Sequence, residues 1–122
     1  MHEMSIAQNI VRLAGKAAQE AGASRISQIE IQIGELAGVM IEALEFSLSV
    51  AVRGTLAEHA QLNVDITPGK AVCVDCGATF QTSRRWNICP VCESVRHTIL
   101  SGEELKIKTI QIETYGEGVS HV

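Results

Sequence analysis

The sequence predicts an α+β fold: two helices on a three-stranded mixed sheet, with a compact cysteine-bearing module inserted before the last strand. Three observations predict it. Two segments carry apolar residues at helical spacing, three carry alternating apolar and polar residues, and all four cysteines fall between residues 70 and 102. At 122 residues the chain is about one domain's worth, with room for a small appended module.

The first helix is expected from about Ser5 to Ala21. Ser5 and Gln8 have the spacing of a capping box, Ile6, Ile10, Leu13, Ala17 and Ala21 recur at helical intervals, and Gly22 suits the C-terminal stop. The stretch QIEIQIG then alternates, with Ile29, Ile31 and Ile33 on one face and Gln28, Glu30 and Gln32 on the other. A turn from Gly34 to Gly38 leads into a second helix over Ile41 to Arg53, closed by Gly54. Its expected buried stripe is Ile41, Leu44, Leu48 and Ala51, with Phe46 and Val52 beside it. QLNVDIT alternates through Leu62, Val64 and Ile66 until Pro68 and Gly69 break the strand. Strand, helix and strand in this order can form a right-handed parallel crossover.

From Lys70 to Gly102 long apolar side chains are few, and such a segment needs a staple to fold. The last strand is LKIKTIQIE, whose apolar phase shifts between Ile107 and Ile110, as a bulge or a change of packing surface would require. The expected division is residues 1–69 plus 103–113 as an α/β domain, 70–102 as the inserted module, and 114–122 as a flexible tail.

Composition excludes several classes. A net charge of −4 lacks the basic excess of a general nucleic-acid binder. Charges interrupt every apolar run before it reaches the length of a bilayer span. The start has neither the basic segment nor the apolar stretch of a secretion signal, so the expected compartment is the cytoplasm, where thiols stay reduced.

The cysteines then need a role other than disulfides. In CVDCGATFQTSRRWNICPVC, Cys73, Cys76, Cys89 and Cys92 form two C-x2-C turns, each able to aim two thiolates at one point. Gly77 and Pro90 favour tight turns there. The set is expected to hold zinc in a zinc-ribbon-like module, as a closed, structural site without an open position for water. Rubredoxin-type iron uses the same ligands, and redox-active pairs would want a thioredoxin-like helix start that this segment lacks. Arg84, Arg85 and Trp86 admit two readings: a basic-aromatic contact for nucleic acid, or charge compensation of the thiolates with Trp86 as the module's small core. The second is preferred.

The chain begins MHE. The α-amine of Met1 with the backbone nitrogen and imidazole of His2 can close adjacent chelate rings, and Glu3 can add a further donor. Such nitrogen-rich sets favour Ni(II) or Cu(II) over Zn(II). Met1 is expected to be retained, because its removal requires a small second residue. HEMSI lacks the second histidine of a zinc-protease motif.

Met-His-Glu at the start, IGELAGV after the first strand, the paired cysteine knuckles and the ending GEELKIKTIQIE resemble the HypA/HybF family of hydrogenase nickel-incorporation proteins, over residues 1 to about 113. The resemblance implies a nickel-binding domain and a zinc domain. It implies a metallochaperone, not an enzyme, working with a HypB-type GTPase to load the [NiFe]-hydrogenase large subunit, some members also serving urease maturation proteins. Met1, His2 and Glu3 match the family's nickel site, and the four cysteines match its zinc ligands. Where some relatives carry an early carboxylate before the second helix, this chain has Met40. Glu42 or, preferably, His97 is expected to complete the shell, while His59 and His121 are expected to be incidental. No nucleic acid or membrane partner is expected, and the chain would be a monomer or homodimer, with hinges at Pro68–Gly69 and Gly102 that would permit strand exchange. The alternative is a zinc-ribbon nucleic-acid-binding or regulatory module.

Overall fold

The structure is a computed structural model and describes residues 3–114; the expected flexible tail, apart from Thr114, lies outside the described residues. The elements follow in the order α1 (Glu3–Glu20), β1 (Ala23–Gly34), α2 (Ile41–Ala51), β2 (Gln61–Thr67), β3 (Lys70–Cys73), β4 (Thr79–Gln81), β5 (His97–Ser101) and β6 (Leu105–Thr114). One sheet has the order β2-β1-β6 and a second the order β4-β3-β5. No described helix is long and apolar enough to cross a membrane.

The chain divides into two compact units. The first comprises α1 and β1 to Ile31, then Val39–Val64, then the chain from Lys106. The second comprises Gln32–Gly38 and Asp65–Leu105.

In the first unit α1 begins by Glu3, so Ser5 lies inside the helix and forms no capping box. Its buried stripe is Ala7, Ile10, Val11, Ala14 and Ala18, rotated from the expected one, and Leu13 is exposed. The physical reason is close packing: α1 lies against α2, and alanines let two helices approach where leucine would hold them apart. Gly22 stops the helix with φ +73°, and its amide donates to the Gln19 carbonyl at 3.0 Å.

The centre of the first sheet is β1, where Ile29, Ile31 and Ile33 are fully buried, each contributing on the order of 2 kcal/mol. The strand starts at Ala23, earlier than the alternation reveals, and buries Ile26 as well. Side-chain bonds from Ser24 to the Glu113 carbonyl, from Ser27 to the Gln111 carbonyl and from Thr109 to Glu30 show β1 and β6 running antiparallel, because one index falls as the other rises. Beside β2 the partners rise together: the Ile26 amide donates to Leu56, which precedes β2, and Gln32 donates to the hydroxyl of Thr67 at its end. That is the parallel sense a crossover through α2 requires. As an outer strand β2 buries less than alternation suggested, leaving Ile66 49% exposed. In β6 the half-buried apolar positions are Ile107, Ile110 and Ile112, the expected change of phase. In α2 Leu44, Ser47 and Leu48 are buried and Val52 follows, whereas Phe46 points to solvent.

In the second unit β3 pairs antiparallel with β4, Ala71 opposite Phe80, and with β5, Cys73 opposite His97. The IGELAG turn belongs here: the Glu35 amide donates to Thr67, the Leu36 amide to Gly102, and the Gly69 amide to the Glu35 carboxylate at 3.0 Å. Gly69 and Gly102 are therefore tied into the second unit, whose bounds fall outside them, at Asp65 and Leu105. A Cβ on Gly69 would overlap the Thr82 carbonyl, so glycine is required there for close approach.

Candidate metal centres

The two C-x2-C turns fold into the same backbone pattern. In the first, the Cys73 amide donates to the Ala78 carbonyl at 2.8 Å, and the Gly77 amide to the Cys73 carbonyl at 3.0 Å. In the second, the Cys89 amide donates to Ser94 at 2.8 Å and the Glu93 amide to Cys89 at 2.9 Å. The residue after each second cysteine takes a left-handed conformation, Gly77 at φ +77° and Glu93 at φ +65°. Glycine adopts it freely; Glu93 does not. Pairing β3 with β4 and β5 holds Cys73 at a strand end, and Asp75 accepts from the Ser94 hydroxyl to tie one knuckle to the other.

These turns bring all four sulfurs within 4.8 Å of one another. The Sγ atoms of Cys73 and Cys92 are 3.4 Å apart and those of Cys76 and Cys89 3.7 Å, too long for disulfides. Tetrahedral zinc with bonds of about 2.3 Å wants sulfurs about 3.8 Å apart, so the donor set fits that ion. Four thiolates fill a tetrahedron, leaving no position for a catalytic water.

Backbone amides set the thiol chemistry. The Cys76 amide, 3.5 Å from the Cys73 sulfur, leads the effects that draw Cys73 down to about 6. Cys89 is lowered by amides of Cys92 and Val91. Cys92 moves the other way: although the Ser94 amide favours its thiolate, the neighbouring Cys73 sulfur and burial prevail and push it up to about 12. Cys76 is also raised, because burial and the Cys89 and Cys73 sulfurs outweigh the Ala78 amide. Two members of each sign reflect a cluster that cannot carry four charges without a cation.

The surroundings correct the sequence reading. The small core under the knuckles is Ala71, Cys73, Phe80 and Cys89, with Ala78 and Ile99 against it. Trp86 is 69% exposed and takes no part. Arg85 pairs with Glu103, and Arg96 lies 3.5 Å from Asp75, so carboxylates engage these two arginines while backbone amides reach the sulfurs. Sequence reasoning missed Phe80 as the core residue; its place in the TFQ alternation between the knuckles was the available signal.

His97 begins β5 in the second unit. Its Nε2 lies 2.8 Å from the Arg85 carbonyl, its Nδ1 3.1 Å from the Val95 carbonyl, and its ring meets Phe80 edge-on at 6.0 Å. Both ring nitrogens thus face carbonyl oxygens of its own module, and a neutral imidazole donates to one of the two.

In the first unit the Glu3 carboxylate accepts a hydrogen bond from the Met40 amide at 3.3 Å. Met40 is the N-cap of α2 and offers no capping side chain, so Glu3 serves that helix end from another segment. The structure therefore brings Glu3 to the approach of α2. Glu42 is exposed in its first turn. His59 is exposed beside Glu58, as expected of a surface residue. Met1, His2 and His121 lie outside the described residues.

Comparison with known proteins identifies this arrangement. The family described as "Hydrogenase/urease nickel incorporation, metallochaperone, hypA" matches residues 1–112. The chain is 48% identical over 117 residues to hydrogenase maturation factor HypA of Chlorobium luteolum, covering 96% of this chain and 100% of that one. It is 39% identical over 112 residues to the protein of that name from Rhodobacter capsulatus, covering 92% and 99%. In fold it is similar to the solution structure of the Ni metallochaperone HypA from Helicobacter pylori, with a TM-score of 0.68 at 21% identity over 93% of this chain and 99% of that one. The chain belongs to the HypA family of nickel-incorporation metallochaperones, and these are not enzymes.

Proposed function

We propose that the chain captures Ni(II) through the Met1 α-amine, the backbone nitrogen and imidazole of His2, and Glu3, and passes it by ligand exchange to the [NiFe]-hydrogenase large subunit. A HypB-type GTPase would assist in the cytoplasm. The observation carrying this reading is the state of the Glu3 carboxylate. It is held by one long bond from the Met40 amide, so it can exchange that contact for a metal without disturbing a packed core. A weakly committed oxygen suits a ligand that must later let go.

On this reading the first compact unit carries nickel, and the second holds zinc on Cys73, Cys76, Cys89 and Cys92 as a structural ion. His97 could join the nickel shell only by releasing the Arg85 or Val95 carbonyl. Nickel affinity falls as pH drops through the titration range of His2, since the metal needs the neutral imidazole.

The test is a Ni(II) titration of untagged protein against His2→Ala, with zinc assayed in both. The expected variant keeps one zinc and loses tight nickel binding. Equal nickel binding by both would remove the N-terminus from the mechanism.

A further inference from the structure

A cleft of about 630 Å³ in the first unit lies between α1 and the turn that follows α2, and the metal reading makes no use of it. One wall is the α1 face bearing Arg12, Gly15, Lys16 and Gln19; the other is Gly54 to Leu56.

Gly15 is the first clue. Glycine inside a helix costs about 1 kcal/mol relative to alanine and needs a reason. Crowding is not that reason, because a Cβ on Gly15 would meet nothing within 4 Å. What its missing side chain does is keep the cleft open between the two cations.

Charge is the second. The chain carries a net charge of −4, yet this cleft gathers Arg12 and Lys16. Among the described residues Lys16 forms no ion pair, although Glu20 stands one turn further along α1. Arg12 is oriented by a 2.6 Å bond that it donates to the side-chain Oδ1 of Asn9, a neutral partner that leaves its charge uncompensated. Glu58, the acid of the adjoining turn, is engaged by the Gly54 amide at 2.8 Å.

Spacing is the third. Residues four apart on a helix are about 6 Å apart along its axis. Alternate residues of an extended chain point the same way about 6.7 Å apart. Arg12 and Lys16 therefore stem from the helix at the spacing of positions i and i+2 of an extended segment, and the wall to Gln19, about 10 Å long, seats three residues of it.

We propose that this cleft is a docking slot for an extended acidic segment of a partner protein, with carboxylates at alternate positions read by Arg12 and Lys16. The slot is independent of nickel binding.

The test is fluorescence anisotropy of a labelled nine-residue peptide with glutamates at alternate positions, at low and at physiological salt. A peptide of the same composition with its glutamates in one block, and free glutamate, serve as competitors. Wild type is expected to bind the alternating peptide, more weakly as salt rises, and at least about tenfold better than the blocked one. Arg12→Gln with Lys16→Gln is expected to lose at least about tenfold. Gly15→Leu keeps both charges and fills the slot, and is expected to lose the same, with circular dichroism and zinc content unchanged. Gly15→Ala checks that helix substitution alone does no harm. No binding by wild type, equal binding of the two peptides, displacement by free glutamate at peptide concentrations, or full binding by folded Gly15→Leu would each overturn the proposal.

Discussion

Gly34 and Gly102 pass backbone to backbone: the Leu36 amide donates to the Gly102 carbonyl, and a Cβ on Gly34 would overlap that same carbonyl group. Such an overlap cannot be relieved by a rotamer. Gly34→Ala is therefore expected to cost about 3 kcal/mol, the upper end of overpacking, and to lower the Tm by roughly 10 °C. Thermal unfolding monitored by circular dichroism checks this; an unchanged Tm would show that the two segments separate freely.

The knuckles differ at one left-handed position, Gly77 in the first and Glu93 in the second. Replacing Glu93 by glycine relieves the strained φ and is expected to stabilise the zinc-loaded second unit by up to about 1 kcal/mol, the larger flexibility of the unfolded chain offsetting part of the gain. Urea denaturation of the zinc-loaded protein measures it. A loss of stability would mean that the Glu93 side chain contributes more than its backbone costs.

Phe80 and Trp86 should behave oppositely to what side-chain size suggests. Phe80 is 8% exposed and Trp86 69%. Phe80→Ala is expected to cost about 3 kcal/mol or more and to speed zinc release to a chelator, whereas Trp86→Ala should stay within about 0.5 kcal/mol. Equal release rates for the two variants would contradict the assigned core.

Zinc binding should release protons. At neutral pH Cys76 and Cys92, both raised, hold their protons, while Cys73, drawn down to about 6, is a thiolate and Cys89 is shifted in the same direction. The metal takes only thiolates, so near neutral pH it expels at least the protons of Cys76 and Cys92. Affinity then rises with pH between about 6, where Cys73 titrates, and about 12, where Cys92 does, and falls more steeply below that window as Cys73 also protonates. Chelator competition at pH 6.5 and 8.5, with proton release followed in weak buffer, reads both; a pH-independent affinity would refute the assignment.

Local patterns carried the parts of the fold that local chemistry decides. Ile29, Ile31 and Ile33 were legible because a buried strand face must alternate, Gly22 because a helix end needs a left-handed residue, and the cysteine cluster because paired knuckles have few other uses. What escaped depends on distant neighbours. Either Leu13 or the Ala7–Ala14–Ala18 row could have faced inward until the proximity of α2 chose the small side chains. Phe46 and Trp86 looked like core by type, but among the described residues no other segment covers them. The partnership of Glu3 with Met40 spans 37 positions and leaves no periodic trace.

The cysteine cluster has a front and a back. Cys73 and Cys89 are buried, Cys76 and Cys92 exposed, and each inner sulfur has an outer sulfur of the other knuckle close by, at 3.4 Å and 3.7 Å. Thiol reagents and competing chelators therefore meet the site through Cys76 and Cys92 first. If the ion is stripped in an oxidising solution, the nearest thiols to couple are Cys73 with Cys92 and Cys76 with Cys89, bonds that sew the two turns together. Oxidative damage to this module would then lock it shut around an absent metal, a dead end that reduction alone could reverse.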